Sequence, residues 1–362
     1  MRTQLFAALA IVLLAAGCTK QNEKMVNEQM VNDLHQLSFT PEQAAWMTAI
    51  AANEAKGDQI RLESAIHNGL EADLTVSQIK EALSQLYANT GFPRSLNAIG
   101  TLQRVIGDRQ AKGVKVLMGE EASPLPDDYD ALRDGTKVQT QLSGRAFNYD
   151  FAPATDYYLK AHLFGDIFAR DNLTYADREL ITVSALSAMD GVEPQLAAHI
   201  RGARNMGVTE AQLQAIVVAL ATKVSYHDAG RLAGLLETEW PQGQPNTAYA
   251  EYFVGQSYIQ RYEGVSNVTF EPRCRNNWHI HHGAVQVLVC VSGRGWYQEW
   301  GKPAVPLTPG TLIAIPEGVK HWHGAAADSW MQHLAIHTEV QPVNSNEWLE
   351  PVSDEQYDQL AK

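Results

Sequence analysis

Two histidine-rich segments, about forty residues apart, place the strongest constraint on what this chain can fold into. The first contains His279 and His281, and the second begins at His321. Alternate side chains of a β-strand point to one face, so His279 and His281 can present their imidazoles to one ion. Gln286 opens the next apolar run and adds an amide oxygen. The pattern predicts one divalent transition-metal ion (Mn, Fe, Ni or Zn) bound by His279, His281, Gln286 and His321.

Residues 265–340 have the rhythm of a β-structure. Apolar runs alternate with glycine- and proline-containing turn signals at 292–295, 301–303, 308–310 and 316–318. Short strands separated in this way are typical of a sandwich or barrel. If metal ligands face inward, strand parity places His333, and with it His337 or His323, in the cavity beside the metal. A histidine that is not a ligand is suited to move protons there, because its pKa lies near neutrality.

The spacing of these residues resembles the cupin family. In that family two histidines stand one residue apart, a Glu or Gln follows shortly after, and a further histidine comes after a Pro-x-Gly motif. Here His279, His281, Gln286 and His321 match, and the resemblance implies a double-stranded β-helix. Gln286 replaces the commoner Glu, which leaves the identity of the metal open. The alternative is that these histidines are satisfied in a core or on a surface.

The same segment is similar to manganese-dependent hydroxynitrile lyases of the cupin type. The shared stretches are 269–272, 278–281, 293–296, 321–326 and 333–336. This resemblance implies the same four metal ligands and gives His333 the place of a functional active-site histidine. The chain has His337 where those lyases have Gln. We therefore expect a pocket that accepts a different substrate.

An internal repeat organises the residues that precede the predicted barrel. Thr40 and Thr174 each stand at a helix start, and Thr75 and Thr209 start a second helix, with 134 residues between the members of each pair. Threonine followed three residues later by Gln or an acidic residue is a capping signal. Apolar residues at helical spacing follow the second start in each copy. The repeat predicts two all-α units on one plan.

The helical units resemble the carboxymuconolactone decarboxylase family, a small all-α fold. Arg178, Glu179 and His199 match its motifs in the second unit, and the resemblance implies that Arg holds a carboxylate while Glu or His moves a proton. The first unit has Ala45 and Ala65 where Glu179 and His199 stand. A structural role at a helix interface is an equal alternative for both residues. Relatives that act as alkylhydroperoxidases use a Cys pair, and its absence here argues against that chemistry.

The N-terminus has the features of an export signal. An apolar run from Leu5 to Ala16 is followed by Gly17 and Cys18, and it is too short for a stable membrane span. The segment resembles the bacterial lipobox. This resemblance implies lipidation of Cys18 and an exported, membrane-anchored lipoprotein of the cell envelope. A plain secretory signal is the alternative.

The net charge of the chain limits the classes of molecule that it is expected to bind. It carries 41 acidic and 28 basic side chains, a formal charge of −13. Nucleic-acid binding demands clustered Lys and Arg against the phosphate backbone, so this balance argues against it. We expect a small-molecule substrate.

These patterns predict an α + β multidomain protein in which two all-α carboxymuconolactone-decarboxylase-like units precede a cupin double-stranded β-helix barrel. The expected function is a metal-dependent lyase or decarboxylase acting on a carbonyl or carboxylate substrate, with the helical tandem accessory or forming a homo-oligomer. The alternatives are a non-catalytic carbohydrate- or metabolite-binding surface lipoprotein and decarboxylase chemistry in the second helical unit. The expected segments are a signal peptide (1–18), a tether (19–38), helical unit 1 (39–118), a connector (119–158), helical unit 2 (159–240), a linker (241–250), the cupin (251–345) and a C-terminal tail or helix (346–362).

Overall fold

A computed structural model describes residues 36–236 and 240–360. A helical N-terminal region is followed by a β-rich C-terminal barrel, as the sequence predicts. The described residues fall into two compact units. The first comprises the residues up to Phe39, 121–179 and 202–208, and the second comprises 40–120, 180–201 and the residues from Thr209 onward.

The helical region contains ten α-helices and one π-helix within the described residues, and a short α-helix lies near the C-terminus. The π-helix is Tyr158–Ile167, and a 3-10 helix covers Thr247–Tyr252. The α-helices are α1 Pro41–Lys56, α2 Gln59–Glu71, α3 Val76–Thr90, α4 Phe92–Ala111, α5 Ala131–Ser143, α6 Pro153–Tyr157, α7 Tyr175–Ser187, α8 Glu193–Asn205, α9 Glu210–Lys223, α10 Tyr226–Leu236 and α11 Asp354–Asp358.

The four predicted helix starts are confirmed. Thr40, Thr75 and Thr209 each cap a helix, and each forms a reciprocal capping box with the Gln three residues later. Thr174 does the same with an acidic partner, because its Oγ1 accepts from Asp177 N at 3.0 Å while Asp177 Oδ2 accepts from Thr174 N at 2.9 Å. These bonds satisfy N–H groups that a helix start would otherwise leave unpaired.

The helix bounds follow the repeat found in the sequence. Helix α2 spans Gln59–Glu71 and α8 spans Glu193–Asn205, an offset of 134 at both ends. Helices α1 and α7 begin at the same offset, as do α3 and α9. Two copies of one helical plan are therefore present.

The first compact unit is built on a close approach between α5 and the π-helix. A side chain at Gly135 would collide with the backbone of Lys160 and Gly165, so only glycine fits there. Tyr129 Oη donates to the Gly165 carbonyl at 3.0 Å. Helix α5 lies inside the segment expected as a connector. It is amphipathic, with Gly135, Gln139 and Leu142 buried along one face.

The barrel consists of two antiparallel sheets. One has the order β1-β3-β4-β12-β7-β10, and the other has the order β13-β6-β11-β5-β2, with β8 and β9 continuing from β11. The strands are β1 Gln244–Pro245, β2 Phe253–Val254, β3 Ser257–Tyr262, β4 Val265–Phe270, β5 Arg275–Asn276, β6 His279–His282, β7 Val285–Gly293, β8 Gly295–Glu299, β9 Val305–Leu307, β10 Leu312–Ile315, β11 His321–Ala325, β12 Met331–Thr338 and β13 Ser345–Trp348.

Both sheets contribute to one buried apolar core. Phe270, Leu288 and Met331 come from the first sheet, while Tyr297 and Ala325 come from the second. Strand β13 pairs with β6, so pairing continues past residue 345, where the sequence suggests the domain end. Among the described helices, none combines the length and the apolar character that a membrane span requires.

Candidate metal centre

The three predicted histidine ligands lie together on two paired strands. His279 and His281 alternate on β6, and His321 begins β11 directly opposite His279. All three are buried. Their ligand nitrogens lie within 4.8 Å of one another. Strand parity and one cross-strand pair therefore bring three imidazoles to one point.

Each of these imidazoles has its Nδ1 atom fixed by an oxygen acceptor. A ring nitrogen facing an oxygen acceptor must donate its proton, so Nε2 of each ring keeps a free lone pair. His281 Nε2 is buried and has no hydrogen-bond partner. This arrangement fits a metal, because ligating histidines almost always donate their other N–H to an oxygen. The acceptors are Asn277 O for His279 at 2.9 Å, Asn346 Oδ1 for His281 at 2.7 Å and Val319 O for His321 at 2.9 Å.

Gln286, on β7, completes the predicted set. Its Oε1 lies 3.2 Å from His321 Nε2. With Nδ1 of His321 protonated, two acceptor atoms face each other here, and they repel unless a cation lies between them. Ligands bound to one ion at about 2.1 Å lie roughly 3.0 to 3.4 Å apart. The four residues therefore fit a three-nitrogen, one-oxygen metal site.

Burial keeps these histidines neutral. Burial lowers the pKa of His279 well below its ordinary value of 6.5, and the neighbouring His321 and His281 lower it further. Burial also lowers the pKa of His321 to about 4 and lowers that of His281. A neutral imidazole is the form that binds metal, so little proton release accompanies loading at neutral pH.

A second histidine pair lies beside the metal ligands. His333 on β12 is buried, and neither of its ring nitrogens has a hydrogen-bond partner. Burial lowers its pKa to about 4. The His323 ring lies 4.8 Å from it, centroid to centroid. His333 is therefore a neutral imidazole held in apolar surroundings with both nitrogens unused.

The tautomer of His323 follows from Asn276. Asn276 Oδ1 accepts from the backbone N–H of His323 at 2.9 Å, which leaves Asn276 Nδ2 to donate to His323 Nε2 at 3.0 Å. The proton of His323 is therefore on Nδ1, which is buried and has no partner. This N–H is a donor available to a bound molecule.

A cavity of about 370 Å³ adjoins these groups. Its polar wall includes His279, His281, Gln286, His323 and His333. Its apolar wall is largely aromatic, and Trp348 stacks on Tyr252 with ring centroids 4.6 Å apart. The volume suits a small organic molecule. The aromatic lining residues are Tyr249, Tyr262, Phe253, Phe270 and Trp348.

Comparison with known proteins agrees with this geometry. Residues 266–337 match the cupin domain family. The chain is 41% identical over 92 residues to an (R)-mandelonitrile lyase of Granulicella tundricola, an alignment that covers 25% of this chain and 69% of that protein. The chain belongs to the cupin family. In addition, residues 153–229 match the carboxymuconolactone decarboxylase family.

Two further similarities concern parts of the chain. A solved cupin-like protein of Thermotoga maritima is 35% identical and covers 34% of this chain and 96% of its own, with a TM-score of 0.31. A protein of Saccharomyces cerevisiae described as peroxisomal protein 2 is 28% identical over 164 residues, 39% of this chain and 58% of that protein.

The helical candidates are not among the residues that line the cupin cavity. Arg178 and Glu179 are fully buried and belong to the first compact unit, whereas His199 is half-buried and belongs to the second. Arg178 donates to the carbonyl of Arg170 at 2.7 Å and stacks over Phe168. None of the three lines the cupin cavity. Their catalytic roles remain predictions. Cys18, the predicted lipidation site, lies outside the described residues.

The sequence analysis did not predict three residues of this cupin site. Asn346 orients His281, Trp348 forms one wall, and Asn276 fixes the tautomer of His323. Asn346 and Trp348 lie on β13, in a segment expected to be a tail. Their alternation is that of a strand, and this was the one available signal. Asn276 carries no motif, because its role depends on the pairing of β5 with β11.

Proposed function

We propose that the cupin domain is a metal-dependent lyase or decarboxylase that makes or breaks a carbon–carbon bond beside a carbonyl or carboxylate. The observation that carries this proposal is the convergence of three Nδ1-fixed histidines and Gln286 next to the unpartnered His333. A divalent ion held by these residues would supply Lewis-acid polarisation of a substrate oxygen. The similarity to an (R)-mandelonitrile lyase supports a lyase.

The side chains of the cavity have separate roles in this proposal. His333, neutral and without partners, accepts a proton from the substrate and later returns it. His323 donates its Nδ1–H to an oxygen or nitrogen of the bound molecule. The aromatic wall excludes water from the reacting atoms. The helical tandem is then accessory or serves to form a homo-oligomer.

The test combines substrate screening with one substitution. Metal-loaded protein is incubated with aromatic cyanohydrins, 2-hydroxy acids and 2-oxo acids, and the release of cyanide, carbon dioxide and aldehyde is followed. We expect turnover with at least one class, and His333→Ala should lower kcat by about 10²-fold or more with metal content unchanged. Wild-type turnover that survives His333→Ala would remove the proton-transfer role. Full metal content with no turnover would favour a non-catalytic metabolite-binding module.

We also propose that the protein is exported and held to a membrane by a lipid on Cys18. The support is the apolar run that ends in Gly17-Cys18. A palmitate analogue should label the wild type in cells and leave Cys18→Ala unlabelled. Release of soluble protein whose N-terminus begins at Thr19 or later would contradict lipidation.

A further inference from the structure

The cupin cavity holds a single formally charged side chain among the described residues that line it. That residue is Arg261, and no carboxylate lines the cavity. The chain as a whole carries a charge of −13, so a cation without a counter-charge in this cavity is unexpected from the overall composition.

Arg261 is placed on the face of the sheet that forms the cavity. It shares β3 with Ile259, two residues earlier, and both line the cavity. Opposite Arg261 stands Ser266, and opposite Ser266 stands Ala335. These small neighbours leave the long arginine side chain room to lie across the sheet toward the cavity. Arg261 is exposed and takes part in no ion pair among the described residues, so its guanidinium is free to bind an anion.

The sheet register gives the separation between Arg261 and His333, the residue proposed to move the proton. Ile259, Val268 and His333 form the neighbouring cross-strand row. Two strand spacings and one two-residue step separate Arg261 from His333, about 10 Å across the sheet and about 7 Å along it. An extended arginine covers roughly half of that distance. A molecule the size of a substituted phenylacetate spans the rest, and the aromatic wall suits its ring.

The metal ligands lead to the same conclusion. None of the four candidates, His279, His281, Gln286 and His321, is a carboxylate, so a divalent ion among them would receive no compensating negative charge from its ligands. Together with Arg261, such an ion would make the cavity strongly cationic. Positive charge in a partly enclosed cavity attracts and binds anions.

We propose that the cupin cavity binds a monocarboxylic acid with an aromatic body, and that Arg261 anchors its carboxylate at the cavity mouth. The assignment of the opposite end of this acid to His333 rests on the proposed lyase function. The carboxylate site itself does not, because the cavity and the unpaired guanidinium exist without any reaction.

Calorimetric titration of the full-length protein tests this proposal. The probes are mandelate and its neutral analogue mandelamide, each added to metal-loaded and to chelator-treated protein. We expect mandelate to bind both forms more tightly than mandelamide. Arg261→Gln should weaken mandelate binding by about tenfold or more and leave mandelamide unchanged, because a charge-assisted bidentate contact is lost. Arg261→Lys should restore part of the loss, since charge returns without the planar fork.

Arg294→Gln is the matched control. Arg294 is an exposed arginine that pairs with Asp328 and does not line the cavity, so this variant should bind mandelate like the wild type. Equal mandelate affinity for wild type and Arg261→Gln, or mandelate binding lost entirely on chelation, would place the carboxylate on the metal and overturn the proposal. No mandelate binding to either form would also overturn it, even if a cyanohydrin is turned over. Binding through Arg261 without any turnover would instead refute the lyase function alone.

Discussion

The barrel and the helical region both contain buried polar atoms without a hydrogen-bond partner, but the two regions arrange them differently. In the barrel, His281, His323 and His333 keep buried nitrogens without partners, all beside one cavity. In the helical region Asn53 Oδ1, Glu54 Oε2 and Gln139 Oε1 are also buried without a partner, but none of these residues lines that cavity. A buried polar group without a partner costs free energy, so several around one cavity indicate a ligand rather than a packing role.

A comparison of the two helical copies also favours the barrel as the place for chemistry. The second copy holds Arg178, Glu179 and His199, while the first has alanines at 45 and 65 where Glu179 and His199 stand. Yet both copies keep the same caps and the same helix bounds. The fold therefore does not require these side chains, and the four-residue site in the barrel is the better place for chemistry.

The largest expected effect is loss of the metal. His279→Ala or His321→Ala should reduce bound transition metal from about one ion per chain to about a tenth or less, because three ligands bind far more weakly than four. Metal analysis after gel filtration measures this. His282→Ala is the control, since His282 points away on β6 and pairs with Glu347. Full metal content in both ligand variants would contradict the metal site in the barrel. The reason to place the chemistry in the barrel rather than in the helices would then be lost.

A buried carboxylate in the helical region gives the next largest effect, on stability alone. Burial raises the pKa of Glu54 from 4.5 to about 7, and among the residues that the structure describes only Thr90 donates to it, at 2.8 Å. Its folded pKa lies above its unfolded pKa, so stability present below pH 4.5 is lost as the pH rises through 7. Glu54→Gln should therefore raise the free energy of unfolding by up to about 3 kcal/mol at pH 8 and by little at pH 4.

Urea unfolding at the two pH values measures this change. Glu63→Gln is the control, because Glu63 is half-exposed and pairs with Arg104. A Glu54→Gln variant with unchanged stability but altered turnover would instead make Glu54 part of the chemistry.

A smaller effect is expected from the residue that orients one ligand. Asn346→Ala removes the acceptor of His281 Nδ1–H, and loss of such a partner lowers metal affinity by about 10- to 100-fold. Competition with a chelator of known affinity measures it. Asn344→Ala is the control, because Asn344 donates its side-chain N–H to the Gln341 carbonyl and not to a candidate ligand, so the metal affinity of this variant should match that of the wild type. Equal affinity for all three proteins would show that His281 is not held by β13.

The smallest expected effect is that of His199. Once a substrate is known, His199→Ala should change kcat/KM by less than about twofold, because His199 does not line the cupin cavity. Steady-state kinetics beside His333→Ala gives the comparison. An inactive His199 variant and an active His333 variant would move the active site to the helical region.

Local patterns were enough to predict much of this protein. Thr40 and Gln43 lie three residues apart and cap one helix, so the start of that helix can be predicted from the sequence. The period of two along β6 likewise predicts that His279 and His281 share a face. In such cases both partners lie within one turn or one strand, and covalent geometry fixes their relation.

Contacts between distant segments were decided only by the tertiary structure. Asn346 reaches His281 across 65 residues, and Arg261 faces the cavity through its pairing with Ser266. The raised pKa of Glu54 comes from burial by other helices. Nothing near these residues in the chain specifies such partners, because strand register and burial arise from the packing of the whole domain. The sequence alone thus predicted the candidate ligand set and the helical plan, and the tertiary structure decided what surrounds them.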